Sequence, residues 1–100
     1  MKTTIQETDD KIVAILSGEL DTAAAQETEE ALQPLLDSRG REVIIDCTEL
    51  EYIASSGLRI LLGILKEAKA AGSRVVLKNV NDMIRDVMVI TGLIRIFEFE

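Results

Sequence analysis

The feature that most constrains the fold of this chain is a series of short apolar runs separated by helix-forming segments. Residues 12–16 are apolar at every position, so they predict a strand that is covered on both faces. Residues 42–47 and 74–78 are rich in β-branched side chains and predict two more buried strands. Strands that alternate with helices in this way favour a mostly parallel sheet covered by helices. The sequence therefore predicts an α/β fold.

The other elements follow from polarity, capping residues and breaks. Asp21 or Thr22 can cap the first helix, and Pro34 predicts a kink or a short break within that helix. Residues 18–22 are expected to end the preceding strand, and the polar residues 3–7 fit an edge strand that forms a hairpin with it. The predicted order is ββαβαβαβ, with strands at 3–7, 11–17, 42–47, 74–78 and 94–99 and helices at 23–38, 56–71 and 82–91.

Length and charge limit the classes of function. A chain of 100 residues predicts one domain spanning residues 1–100. With 18 acidic and 11 basic residues, the net charge of -7 disfavours nucleic acid and anionic membrane surfaces as partners. The single cysteine, Cys47, predicts a small buried side chain in a reducing compartment. No apolar run approaches the ~18 residues of a membrane span, so we expect a cytoplasmic protein without direct membrane insertion.

The sequence lacks most catalytic equipment. It has no histidine, which removes the commonest general base and metal ligand. The residues around Ser55 do not form the Gly-x-Ser-x-Gly motif, and no phosphate-binding or dinucleotide-binding glycine pattern is present. We therefore expect no cofactor, no metal site and no enzymatic activity. A small hydrolase that uses Ser55 or Ser56 stays open as an alternative.

Two adjacent serines mark the start of the second predicted helix. Ser55 and Ser56 follow a strand and precede Gly57 and an apolar helical face. One hydroxyl is expected to cap the helix, which contributes about 1 kcal/mol. The other can stay exposed as a phosphoacceptor, where a phosphoryl group adds about -1.5 to -2 charges. Four acidic residues are expected near this helix start if the fold brings their loops together: Glu19, Asp21, Glu49 and Glu51.

These motifs resemble a known family. Ser55-Ser56-Gly57-Leu58 after a strand with Asp46-x-Thr48, together with Gly18-Glu19-Leu20-Asp21 before the first helix, is similar to the STAS-domain anti-sigma factor antagonists of bacteria. The resemblance extends through Thr91-Gly92-Leu93 and Phe97-Glu98-Phe99 and so covers nearly the whole chain. It implies a single STAS domain with a mixed, mostly parallel sheet of four to five strands and helices packed on one side.

The resemblance also implies a function. In this family the unphosphorylated antagonist binds an anti-sigma factor that is also a serine kinase, phosphorylation breaks the complex, and a metal-dependent serine phosphatase restores it. The family motif places the phosphoacceptor on Ser55, with Ser56 as the alternative, and Ala54 stands where the family usually has an acid. An accessory subunit of a lipid transporter or of a stress-signalling assembly, without the phospho-switch, is the rival function. The predicted partner-binding residues are Asp21, Ile53, Ala54, Ser55, Ser56, Gly57 and Leu58.

Overall fold

A five-stranded mixed sheet forms the centre of the molecule. The computed structural model describes residues 1–100. Strands β1 and β2 form an antiparallel hairpin, and β2 to β5 run parallel in the spatial order β1-β2-β3-β4-β5. The predicted α/β fold and element order are confirmed. The elements are β1 (Lys2–Glu7), β2 (Lys11–Leu20), α1 (Thr22–Ala31), β3 (Glu42–Ile53), α2 (Ser55–Ala70), β4 (Val75–Lys78), α3 (Asp82–Thr91) and β5 (Glu98–Phe99).

The helices cover one face of the sheet. Ile12, Ala14 and Leu16 of β2 point to that face and are fully buried in the core, which also contains residues of α2 and α3 and the C-cap of α1, Leu32. Val13 and Ile15 alternate with them on the opposite face and are only half-buried, so the predicted cover on both faces is wrong. The reason is topological. Successive parallel strands are added in one direction, and right-handed crossovers then place every helix on the same side.

Both central strands are longer than predicted. β2 continues to Leu20 and β3 to Ile53, although the sequence predicted ends near residues 17 and 47. The two strands stay paired to their last residues, Leu20 opposite Ile53, across two register shifts. Gly18 has a φ of +105°, a conformation that L side chains rarely adopt and that suits an irregular position in a strand. Long-range pairing therefore overrides the local break signal.

The other helix and strand ends agree with the prediction to differing degrees. Asp21 caps α1 as predicted, and a 3₁₀ turn, Gln33–Leu36, produces the break expected at Pro34. α1 itself therefore ends well before residue 38. β5 is shorter than the predicted strand, because Gly92 ends α3 and a second 3₁₀ turn, Leu93–Arg95, occupies the start of that segment.

Candidate functional site

The serine pair lies where the parallel strands end and α2 begins. β3 ends at Ile53, Ala54 is the N-cap in an extended conformation (φ -88°, ψ 170°), and Ser55 is the first helical residue. The N–H of Ala54 donates a hydrogen bond of 2.9 Å to the carbonyl of Leu20. The last residue of β2 therefore holds the residue that precedes the serines.

Neither serine caps α2. The predicted cap by one of the two hydroxyls is wrong, because Ala54 occupies the N-cap position and no side chain forms a capping hydrogen bond there. The helix begins at Ser55, one residue before the predicted start, and this places both hydroxyls beyond the position from which a cap acts. α2 therefore begins with backbone N–H groups that no side chain satisfies.

The two hydroxyls differ in accessibility. Ser55 is exposed to solvent, whereas Ser56 is half-buried. The Oγ of Ser56 is buried and has no hydrogen-bond partner, and no other buried side-chain oxygen or nitrogen in the chain is unpaired in this way. A protein that reacts with Ser55 can reach its hydroxyl directly, while the Ser56 hydroxyl would first have to turn outward.

Three residues next to the serines are buried and pack into the core: Ile53, Gly57 and Leu58. Ile53 and Leu58 are only 4% and 6% exposed, so their side chains belong to the core and present little surface to a partner. A Cβ on Gly57 would lie 2.7 Å from Cγ of Leu20 and 2.8 Å from Cγ1 of Ile53, which is too close for any side chain. Gly57 therefore allows the start of α2 to pack directly against the ends of β2 and β3.

Asp21 lies next to this site and has a structural task of its own. Its Oδ1 accepts a hydrogen bond of 2.9 Å from the N–H of Ala24 and so caps α1. It directly follows Leu20, whose carbonyl binds the N–H of Ala54. The starts of α1 and α2 are therefore linked through one peptide segment, and the structure brings the predicted site residues Asp21 and Ala54 to the same edge of the sheet.

Acidic residues gather at a separate depression on this edge. A polar depression of about 590 Å³ is lined by Glu49 and Glu51 but by neither serine. Asn81, which the sequence analysis did not include in the site, lines it as well and donates a hydrogen bond of 3.1 Å to the carbonyl of Leu50. The other lining residues are Ser17, Gly18, Thr48 and Leu50.

The Asp46-x-Thr48 motif is a local structural device. Oδ1 of Asp46 accepts hydrogen bonds from Oγ1 and from the N–H of Thr48, at 2.6 and 3.0 Å. These bonds, the side-chain one above all, hold the pKa of Asp46 below its ordinary value. Asn79 donates to Oγ1 of Thr48 at 2.9 Å and so links the residue after β4 to the middle of β3. Burial, with a smaller effect of the Asp46 charge, raises the pKa of Cys47 to about 12, so this thiol is unreactive.

The residues present offer no metal site. No three or more His, Cys, Asp or Glu side chains lie close enough together to hold a metal ion. None of the helices is both long enough and apolar enough to cross a bilayer.

The sequence comparisons define the family. The model of the STAS domain family matches residues 2–100, and the chain belongs to this family. It is 33% identical over 97 residues to BtrV of Bordetella bronchiseptica, which is named as an anti-sigma factor antagonist; the match spans 97% of this chain and 84% of BtrV. It is 34% identical over 91 residues to the anti-sigma-B factor antagonist of Listeria monocytogenes, across 91% of this chain and 80% of the relative.

Solved structures share the fold. An anti-sigma factor antagonist of Thermotoga maritima superimposes with a TM-score of 0.85 at 21% identity, over 97% of this chain and 84% of that one. SpoIIAA of Bacillus in its phosphorylated form gives a TM-score of 0.74 at 24% identity, over 99% of this chain and 91% of SpoIIAA. At these identities the similarity establishes the fold alone.

Proposed function

We propose that this chain is an anti-sigma factor antagonist whose binding to an anti-sigma factor is switched off by phosphorylation of Ser55. The observation that carries the proposal is the contrast between the two hydroxyls: Ser55 is exposed at the first position of α2, and the Oγ of Ser56 is buried. The relatives that match along most of the chain are named for this function, which supports the choice of partner. Ser55 is therefore the phosphoacceptor, and Ser56 is the alternative.

The proposed partner is an anti-sigma factor with serine kinase activity. Its kinase would transfer the γ-phosphoryl group of ATP to Oγ of Ser55: the new O–P bond forms, ADP leaves, and the hydroxyl proton passes to a base of the kinase. A metal-dependent serine phosphatase would reverse this step by hydrolysis. The chain itself supplies only the hydroxyl and the surface around it, which fits a regulatory protein without catalytic activity. The proposed site of action is the cytoplasm.

The switch follows from electrostatics. A neutral hydroxyl can be covered by a partner at little cost, but a doubly charged phosphate that loses its water in an interface costs several kcal/mol unless the partner compensates it. A loss of only ~3 kcal/mol weakens binding more than a hundredfold. One modification at Ser55 is therefore enough to separate the two proteins. Asp21, Ala54 and Ser56 are proposed to lie in the same interface, while Ile53, Gly57 and Leu58 maintain its shape.

The test is binding of the purified chain to the anti-sigma factor of its own organism, measured by calorimetry. Ser55→Asp should weaken binding at least a hundredfold, because it places a permanent charge in the interface. Ser55→Ala should bind like the unmodified chain. Incubation with the kinase and ATP should add one phosphoryl group by intact mass, and Ser55→Ala should abolish this mass shift.

The matched control is Ser56→Ala, which should leave both the mass shift and the binding intact. A phosphoryl group that maps to Ser56 would move the switch to the neighbouring hydroxyl. Equal binding by Ser55→Asp and Ser55→Ala would contradict the switch. Capture of membrane transporter subunits in place of an anti-sigma factor would support the rival function.

A further inference from the structure

The exposed face of α2 carries a cation close to the proposed phosphoacceptor. Arg59 lies four residues after Ser55, and both residues are exposed. Residues four apart lie on the same face of a helix, with their Cβ atoms about 5–6 Å apart. Long side chains on a helix also lean toward its N-terminus, so the natural direction of the Arg59 side chain is toward Ser55.

The guanidinium of Arg59 is not engaged, whereas four of the six arginines in the chain are. Arg39, Arg41 and Arg74 bind carboxylates at 2.9 to 3.3 Å. Arg85 stacks over the ring of Phe99, 5.3 Å from its centroid. Arg59 forms none of these contacts. The only other arginine without one is Arg95, which lies in the 3₁₀ turn after α3.

Two acidic residues lie near Arg59 and could compete for its guanidinium. Glu29 of α1 and Glu67 of α2 line a shallow groove of about 210 Å³ together with Arg59. Neither carboxylate approaches within the 4.0 Å of an ion pair. The guanidinium is therefore near solvent-exposed acids but is not held by them, and a phosphate dianion on the preceding turn would be a stronger partner than a single carboxylate.

We propose that Arg59 binds the phosphoryl group of Ser55 within the same chain. This inference rests on the phospho-switch proposed above and adds a second part to it. In the unphosphorylated chain the guanidinium is free for a partner, and in the phosphorylated chain it is bound to the phosphate. Phosphorylation then removes two features of the binding surface at once, the neutral hydroxyl and the free cation. Ala54 and the first turn of α2 contribute no carboxylate that competes for Arg59. The carboxylate of Asp21 at the same edge already accepts the N–H of Ala24.

The pairing also favours the phosphorylated form of the free protein. The phosphate lies at the positive end of α2, and Arg59 adds a full positive charge one turn away. Both effects stabilise the dianion and lower the second pKa of the phosphoserine from its usual value of about 6, whereas the carboxylate of Asp21 at the same edge raises it. Burying the pair in an interface would still require removal of water from both groups, so Arg59 does not restore partner binding.

The test installs phosphoserine at position 55 during translation, so that no kinase is needed, and follows its ³¹P chemical shift against pH. Arg59→Gln should raise the second pKa of the phosphate by roughly 0.3–0.7 pH units, the size expected for an exposed ion pair. Arg59→Lys should retain part of the effect. The difference between Arg59→Gln and the parent should shrink in 1 M salt, where exposed charges are screened.

Lys66→Gln is the matched control, because it removes an exposed cation from the same helix. Lys66 lies about 16 Å from Ser55 along the axis of α2. The substitution should change the phosphate pKa by less than about 0.2 pH units. An unchanged pKa in Arg59→Gln, or an equal shift in Lys66→Gln, would overturn the Arg59 contact. Unimpaired binding of the phosphoserine chain to the anti-sigma factor would instead overturn the switch, so the two proposals fail separately.

Discussion

The starts of α1 and α3 differ from the start of α2 in one respect. Oδ1 of Asp21 caps α1 through the N–H of Ala24 at 2.9 Å, and Oδ1 of Asn81 caps α3 through the N–H of Ile84 at 2.8 Å. Ala54 precedes α2 and offers no such oxygen. The backbone is nearly the same at all three N-caps, with φ between -89° and -75° and ψ within about 11° of 180°. The difference is therefore chemical and not conformational.

The comparison distinguishes helix starts that are capped from one that is not. Two helix starts are closed by side chains that serve the fold, and the third keeps its first-turn N–H groups available. That third start carries Ser55 and Ser56. An open helix start fits the proposed switch, because either a partner protein or a phosphate can supply the missing acceptors.

The largest effect is expected from the glycine that brings α2 close to the strands. Gly57→Ala should lower the free energy of unfolding by about 1–3 kcal/mol, because its methyl group would overlap Leu20 and Ile53. Urea denaturation measures this loss. Gly63→Ala is the matched control: nothing lies within 4 Å of its added Cβ, and it should stabilise α2 by roughly 0.5–1 kcal/mol. Equal effects of the two variants would argue against close packing at the start of α2.

Removing a cap should cost less than this clash. Asn81→Ala should lower the free energy of unfolding by about 1–2 kcal/mol, because it removes the cap of α3 and the bond from Nδ2 to the carbonyl of Leu50. Asp21→Ala should cost about 1 kcal/mol. Ser55→Ala should cost close to nothing in the same urea titration, since this hydroxyl caps no helix. A cost for Ser55→Ala similar to that for Asp21→Ala would mean that α2 is capped after all.

Adding a side-chain cap to α2 should make its start resemble those of α1 and α3 and stabilise the protein. Ala54→Asn places the side chain of the α3 cap on a backbone that already has matching torsion angles, so we expect a gain of roughly 0.5–1 kcal/mol. The thermal midpoint and the urea midpoint should both rise. No gain would show that the first-turn N–H groups of α2 already have acceptors.

The smallest effect concerns Asp46, whose carboxylate also accepts a backbone N–H, that of Thr48. Its hydrogen bonds with Thr48 lower its pKa below the ordinary 3.8, so the folded chain binds this proton more weakly than the unfolded chain does. The ionised carboxylate therefore contributes stability above the ordinary pKa, and this contribution is lost as the pH falls through the lowered value. Asp46→Asn should make stability less steep in acid below about pH 4. If Asp46→Asn leaves the dependence of stability on pH below about pH 4 unchanged, the lowered pKa of Asp46 is contradicted.

The sequence predicted the parts of the fold that depend on local residues. The order of the elements, the Asp21 cap and the break at Pro34 all follow from short-range patterns, and the structure has each of them. The two serines follow a strand and stand at the start of the second helix, as the sequence predicted. Its resemblance to the STAS antagonists agrees with the family that the sequence comparisons define.

The features of the fold that the sequence did not predict depend mainly on contacts between distant parts of the chain. β2 and β3 extend past their local breaks because each continues to pair with the other up to Leu20 and Ile53. The half-buried face of β2, which no helix covers, follows from the direction in which strands are added, and no single strand encodes that direction. The capping error has a local cause, since a helix start that shifts by one residue changes which side chain is the N-cap. Arg59 lies on the exposed face of α2, for which the sequence analysis predicted no role.

The hydrogen bond from Ala54 to Leu20 has a consequence for hydrogen exchange. This amide is held by the end of a central strand, so its exchange requires separation of β2 from α2 and should be slow. The amides of Ser55 and Ser56 follow at once and have no side-chain acceptor, so they should exchange quickly. A slowly exchanging amide, that of Ala54, is then followed directly by two rapidly exchanging amides. A bound partner would be detected as slower exchange at Ser55 and Ser56.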